Sequence, residues 1–308
     1  TMITTVCMNP SFDKTATVDK LIDGGMNRLK DVRYDVGGKG INVAIVLKRL
    51  NVEVNCVGCL GAADESEFIK MMQNDSISFQ YVLLPGKTRT NLKILDLDTR
   101  AITEFNEPGL TIDEQQFQDF LELLNAKSMN SRFVEFSGRL PLGCSDDTYQ
   151  KCLANVHGKD CVLDAAGNSL LLGLKEKPFL IKPNLPELEG LMKRELKTLR
   201  SIRDAALLLV QYGARNVIVS MGKYGAIYTD GKRTLFAPAL QVEVHSTVGA
   251  GDAMVGGVLM GLDKGETMEE SLRLGVAAGA ASVMTDGTQL ITVSDFEALL
   301  PKVILQEL

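Results

Sequence analysis

Apolar positions along the chain fall into two rhythms. Short runs of almost unbroken apolar character, "ITTVCMN", "VEVNCVGCLG", "RFVEFSG", "CVLDAA", "FLIKPN" and "NVIVSMG", alternate with stretches of helical periodicity. The latter include "INVAIVLKRL", "DESEFIKMMQND", "DDTYQKCLANVH", "NSLLLGL", "ELEGLMKREL" and the run from 252 to 262. The first kind reads as strands buried on both faces, the second as helices. Their alternation predicts an α/β fold: a doubly wound, mostly parallel sheet flanked by helices.

Two stretches break that rhythm. Residues 14–36 and 88–106 alternate polar and apolar positions and are rich in β-branched residues. A period of two predicts half-exposed strands, expected to be antiparallel, in one small sheet beside the main one. A small sheet with one apolar face needs cover, so a lid or a contact between two copies is expected. No repeat, low-complexity tract or charge block divides the 308 residues, which read as one domain, 1–308.

Composition then excludes several classes. The formal net charge of −6 argues against a nucleic-acid binder, which needs a basic surface. No run reaches the length of a membrane span, and "TMITTVCMNPSFDK" lacks the basic and apolar regions of a signal peptide. Cys56 and Cys59 form a C-x-x-C, but no second pair exists to complete a zinc ribbon, and the motif sits in a strand. Buried structural thiols in a reducing cytoplasm are expected. Only His157 and His245 are present, which disfavours zinc hydrolysis and Ser-His-Asp chemistry.

Five short stretches carry candidate chemistry. In "STVGAGD", Gly249, Ala250 and Gly251 lead into a helix whose first N–H groups form an anion hole suited to phosphoryl oxygens. Asp252 then stands at the rim of an anion site, either as a general base or as a helix cap. In "DVGGKGINVA", Gly37 and Gly38 let a sugar or phosphate approach the backbone, Lys39 adds charge and Asn42 can bond sugar hydroxyls. That stretch matches neither a Walker A loop nor a dinucleotide fingerprint. In "KPNLPE", Asn184 and Glu187 offer oxygens for Mg²⁺ through water, or a capping box of identical spacing. Ser220, Gly222 and Gly225 end a strand where parallel sheets present ligand loops, and Asp13 follows the first strand in "NPSFD".

In combination and order these landmarks are specific. With "SGRLPLG" near 140 added, the chain resembles the ribokinase-like (PfkB) carbohydrate kinases over essentially its whole length. The resemblance implies transfer of the γ-phosphoryl of ATP, with Mg²⁺, to a sugar hydroxyl. It implies Asp252 as base, Gly249 to Gly251 as anion hole, and a nucleotide site that includes Lys182, Asn184, Ser220, Gly222, Gly225 and Thr247. "NPSFD", "GGKGIN" and "RTNLKI" look like the branch that acts on sugar phosphates, the 1-phosphofructokinase and tagatose-6-phosphate kinase group. Arg28, Lys39, Arg89 and Lys93 are then candidates for the acceptor's own phosphate, and "ITEFNEPG" favours fructose 1-phosphate, with tagatose 6-phosphate and fructose 6-phosphate as alternatives. A homodimer through the lid is also implied. A non-catalytic sugar- or nucleotide-binding protein is the competing class, which would be free to lose Asp252 and its glycines. Two departures from the family pattern bear on the acceptor: Arg139 stands where a small residue is usual in "SGRLP", and Met26 where some relatives carry lysine.

Overall fold

Residues 2–308 are described by a computed structural model of the chain. The elements in order are β1 (Met2–Cys7), β2 (Ser11–Val18), β3 (Lys30–Gly37), α1 (Lys39–Arg49), β4 (Val54–Gly61), α2 (Glu65–Met72), β5 (Ser78–Leu84), β6 (Arg89–Asp96), β7 (Ile102–Asn106), α3 (Glu114–Lys127), β8 (Ser131–Ser137) and α4 (Thr148–Asn155). They continue with β9 (Asp160–Asp164), α5 (Gly167–Gly173), β10 (Leu180–Ile181), α6 (Leu185–Met192), α7 (Leu199–Gln211), β11 (Asn216–Ser220), β12 (Ala226–Thr229), β13 (Thr234–Ala237), α8 (Ala250–Asp263), α9 (Met268–Val283), α10 (Val293–Leu299) and β14 (Gln306–Glu307).

The six apolar runs become β1, β4, β8, β9, β10 and β11, and with β5, β12, β13 and β14 they form a ten-stranded sheet in the order β14-β13-β12-β11-β10-β9-β8-β1-β4-β5. From β5 to β11 every neighbouring pair is parallel, and β12 to β14 add an antiparallel edge. The chain winds outward from β1 in both directions, so the order reverses between β1 and β8. Open α/β sheets bind ligands outside the strand C-termini at such a switch point.

Strand residues alternate between two cores. Phe133 of β8 and Val162 of β9 join Ile41, Val46, Ala253 and Ala277 on the face covered by α1, α8 and α9. Val134, Phe136 and Leu163 join Phe120, Tyr149 and Leu209 on the face covered by α3, α4 and α7. Cys56 and Cys59 of β4 point one into each core, both fully buried, and all six cysteines are free thiols. No helix among the described residues is long and apolar enough to cross a membrane.

The stretches of period two form a separate sheet in the order β3-β2-β6-β7. Its outer pairs are antiparallel, but β2 and β6 at its centre run parallel, which corrects the expectation of an antiparallel sheet. The reason is connectivity: β2 and β6 lie on different excursions from the main sheet and leave it in the same sense. Residues 19–29 are a loop rather than strand, stitched by Asn27, whose side chain bonds both N–H and C=O of Ile22.

Small residues set how α8 packs on α9. Gly257 faces the backbone of Leu274 and Gly275 so closely that a Cβ would collide with the Leu274 carbonyl. Gly257→Ala is expected to destabilise the fold by about 1–3 kcal/mol through overpacking. Gly190→Ala, on α6 with nothing within 4 Å, should be neutral or gain up to ~1 kcal/mol of helix propensity. Urea denaturation midpoints of the two variants check the contrast.

Candidate active site

The ends of β1, β8, β9, β10 and β11 and the start of α8 meet at one place. α8 begins at Gly249, which is left-handed (φ 81°) and lies against Leu290, where a Cβ would meet the Leu290 side chain. That turn presents the N-terminus of a 14-residue helix, with its unshared N–H groups and partial positive charge. No side chain caps it, so Asp252 is not the helix cap that its position allowed. Its carboxylate instead points inward, 5 % exposed, and accepts a hydrogen bond of 3.0 Å from Asn42 Nδ2 on α1.

Asp252 belongs to a buried charge cluster. Lys39 Nζ, at the start of α1, lies 2.9 Å from Asp164 Oδ2 and 3.7 Å from Asp252 Oδ1. Lys182 Nζ lies 3.7 Å from Asp164 Oδ2 and 3.4 Å from Ser220 Oγ, and it would be 3.2 Å from a Cβ on Gly251. The two cations outweigh burial at Asp164 and hold its carboxyl below the usual value. At Asp252 burial wins: it raises the carboxyl, Asp164 adds to the rise, and Lys39 and the Asn42 hydrogen bond oppose it. Lys39 itself is shifted upward; burial opposes, but Asp164 and Asp252 prevail.

A cavity of about 380 Å³ opens on one side of this cluster. Ser220, Gly222, Gly225, Thr247, Ala250 and Gly251 line it, and its walls are apolar, with Leu240, Val242, Val276 and Ala280. Its apolar walls lead to the α8 N-terminus and the Lys182 ammonium beside Ser220 and Gly251, an arrangement that fits a purine base and its phosphates.

On the other side lie β2, β3 and the loop after β8. Asp13 is buried beneath Gly37, accepts Ser11 Oγ at 2.8 Å and pairs with Lys93 Nζ at 3.2 Å. Gly38 (φ 109°) starts α1, so Gly37 to Asn42 form one continuous rim. Arg89 is 9 % exposed; its Nη2 donates to the Asn9 carbonyl at 3.0 Å, and its Nε is buried without a partner. It lines a cavity of about 470 Å³ with Tyr34, Lys87, Thr90 and Glu107. Arg139, exposed after β8, lines another of about 430 Å³ with Lys39, Asp164 and Glu187. Burial lowers the Arg89 pKa, and the positive field of Arg139 contributes to the same shift. Arg28 lies apart from these groups, exposed on the loop between β2 and β3.

Asn184 and Glu187 divide the two roles their spacing allowed. Asn184 Oδ1 caps α6 by accepting the Glu187 N–H at 2.8 Å, so this oxygen is engaged. The Glu187 carboxylate does not return to close a capping box; its Oε2 is buried without a partner, and burial and Asp164 raise its pKa. A free carboxylate oxygen beside Lys39 and Lys182 fits a hydrated divalent cation, which prefers hard oxygen donors. No group of three or more His, Cys, Asp and Glu side chains among the described residues encloses a metal directly.

Two features escaped the motif reading. Asn9 pins the segment 106–109 to the end of β1 through Nδ2 to the Pro108 carbonyl at 3.1 Å. Glu135, fully buried in the middle of β8, was visible only as one acid in an apolar run.

Lys39 is the cation that Asp164 and Asp252 share, so Lys39→Met should raise the pKa of both carboxyls. Carbon-13 NMR titration of the aspartate carboxyls reads this directly; an unmoved Asp252 would mean that the 3.7 Å approach carries no coupling.

Comparison with known proteins agrees with this geometry. Residues 7–294 match the pfkB family carbohydrate kinase profile. The chain is 34% identical to a 1-phosphofructokinase of Haemophilus influenzae over 98% of its own length and 97% of that protein's. It is 35% identical to a 1-phosphofructokinase of Bacillus subtilis, over 98% of both chains. Phosphofructokinase-2 from Escherichia coli, solved in complex with substrates and products, superimposes with a TM-score of 0.92 at 29% identity, over 98% of this chain and 99% of that one. With an α/β architecture, a separate small sheet and an Asp-headed helix of this kind, the chain belongs to the pfkB family of carbohydrate kinases.

Proposed function

We propose that the chain transfers the γ-phosphoryl group of Mg·ATP to fructose 1-phosphate, forming fructose 1,6-bisphosphate. The observation that carries this reading is the position of Asp252. It stands between an apolar cavity that ends at a helix N-terminus and a rim of sugar-binding type bordered by Arg89 and Arg139. The relatives of 34% and 35% identity named 1-phosphofructokinase support the choice of acceptor.

On this reading the acceptor hydroxyl sits against Asp252, which takes its proton as the new P–O bond forms and the bond to the leaving ADP breaks. A carboxyl raised above its usual value is the stronger base for that step. The N–H groups of Gly249, Ala250 and Gly251, with Lys182, meet the negative charge that grows on the phosphoryl oxygens. Mg²⁺, when bound, neutralises phosphate charge, and Glu187 holds it through water while Asn184 fixes the loop. Asp13, Gly37, Gly38, Lys39 and Asn42 orient the sugar, and Thr247, Ser220, Gly222 and Gly225 seat the nucleotide. Arg89, whose Nε is unpartnered, binds the acceptor's own phosphate, joined by Arg139; Arg28 reaches it only by movement of its loop.

The small sheet acts as the lid, and its exposed Val32, Tyr34, Ile102 and Phe105 form the contact of a homodimer. Six free thiols fit a cytoplasmic enzyme.

Asp252→Asn should keep nucleotide binding and lose about 10²–10⁴ of kcat, read by coupled ADP release. Near-normal turnover would remove Asp252 as the base, whereas no turnover of any sugar by the wild type would favour a non-catalytic binding protein. The substrate is tested with fructose 1-phosphate, fructose 6-phosphate, tagatose 6-phosphate, fructose and ribose. Fructose 1-phosphate should give the highest kcat/KM, and Arg89→Ala should raise its KM about tenfold or more, the worth of a charge-assisted hydrogen bond, with ATP affinity unchanged.

A further inference from the structure

Beneath the charge cluster lies a second, neutral tier of polar groups. Glu135 is at the middle of β8 on the face covered by α1 and α8, opposite Thr5 of β1 and Val162 of β9. Its side chain is 0 % exposed and both carboxyl oxygens lack a hydrogen-bond partner. Thr5 Oγ1 and Ser137 Oγ, on the same face, are also buried and unpartnered, as is Asn42 Oδ1 on the residue that holds Asp252. The Ser137 hydroxyl is near enough to favour an ionised Glu135, yet no formed hydrogen bond joins them.

An acid in such a place is expensive to bury, and a strand core prefers an aliphatic residue there. The charges that face it are Asp164 from β9, Asp252 from α8 and Lys39 from α1; the titratable groups are Cys7 of β1 and Cys56 of β4 on the same face, and Tyr149 of α4 across the sheet. The tier above already holds two ammonium groups against two carboxylates. A third buried negative charge would have no cation of its own.

We propose that Glu135 is a positioning residue of the transfer centre: it remains a neutral acid beneath Asp252 and Asp164, and loss of its proton disarms the site. Its neutrality leaves Lys39 and Lys182 committed to the two aspartates and to the incoming phosphates. Once ionised, it competes for those cations and repels the anionic phosphoryl group. Burial places its pKa at about 8, with Asp164 and Asp252 adding to the rise and Lys39 opposing, so the change falls in an accessible range. The proposal rests on the phosphoryl-transfer reading above.

The test has two readouts. The first is the pH profile of kcat/KM for fructose 1-phosphate with Mg·ATP, or for the best acceptor of the panel. One titration at about 8 predicts a fall of about tenfold from pH 7 to pH 9 in the wild type. Glu135→Gln, which keeps the shape and cannot ionise, should fall less than about twofold over the same range. The second needs no turnover: the infrared C=O stretch of a protonated carboxyl should be present at pH 7 and lost by pH 9. Asp252→Asn should retain that band, which separates Glu135 from the base. An unchanged alkaline limb in Glu135→Gln, or no such band in the wild type at pH 7, overturns the proposal. If Glu135→Gln does not fold, the band decides alone. Full turnover in Asp252→Asn would instead overturn the base while the Glu135 band stayed in place.

Discussion

Charge balance in a nearly dry space is the constraint on which the rest of the molecule depends. Asp164, Lys182 and Asp252 are each no more than 5 % exposed, and Lys39 closes the set from α1. Removing Lys39 or Lys182 would leave a buried aspartate short of its cation, which costs more than an exposed pair is worth. The arrangement therefore needs four segments held to within hydrogen-bonding distance: the starts of α1 and α8 and the ends of β9 and β10. The parallel sheet supplies the strand ends in one row. Packing of α8 against α1 and α9, through Gly256, Gly257 and Gly275, brings the helix starts down onto them. The small residues of α8 thus serve the site as well as the core.

What was legible in the chain followed how local each signal is. The anion turn at 249–251 and its aspartate are four adjacent residues, and the conformation that glycine permits is encoded there. Six strands of the main sheet were legible because burial on both faces leaves a continuous apolar run. Helices α3, α7, α9 and α10 and strands β5, β12, β13 and β14 were not singled out. In α9 the apolar surface is made of Ala and Gly, which blur the helical period, and β5 is an edge strand that is only partly buried. Alternation showed the four strands of the small sheet but not the parallel pairing of β2 with β6, because period carries no direction.

The site was legible as residues and not as partners. Asn42 and Asp252 are 210 positions apart, and nothing in either motif says that they bond. Lys39 was read as an acceptor cation; in the structure it first neutralises two aspartates, so any role toward a sugar phosphate is shared with that one. Asn184 and Glu187 could be parted only by geometry, since a capping pair and an oxygen donor pair have the same spacing. Glu135 was hidden for the opposite reason: a lone acid in an apolar strand has no pattern at all.

Positive charge lies on both sides of the Asp252 cluster. On one side the main sheet and α8 bring together a helix N-terminus and Lys182. On the other stand the guanidinium groups of Arg89 and Arg139, each lining its own cavity. Arg89 is buried, with its Nε left unpartnered and its Nη2 donating to the Asn9 carbonyl. Asn9 in turn holds Pro108 by its side chain, so the segment 106–109 and Arg89 are both tied to the end of β1.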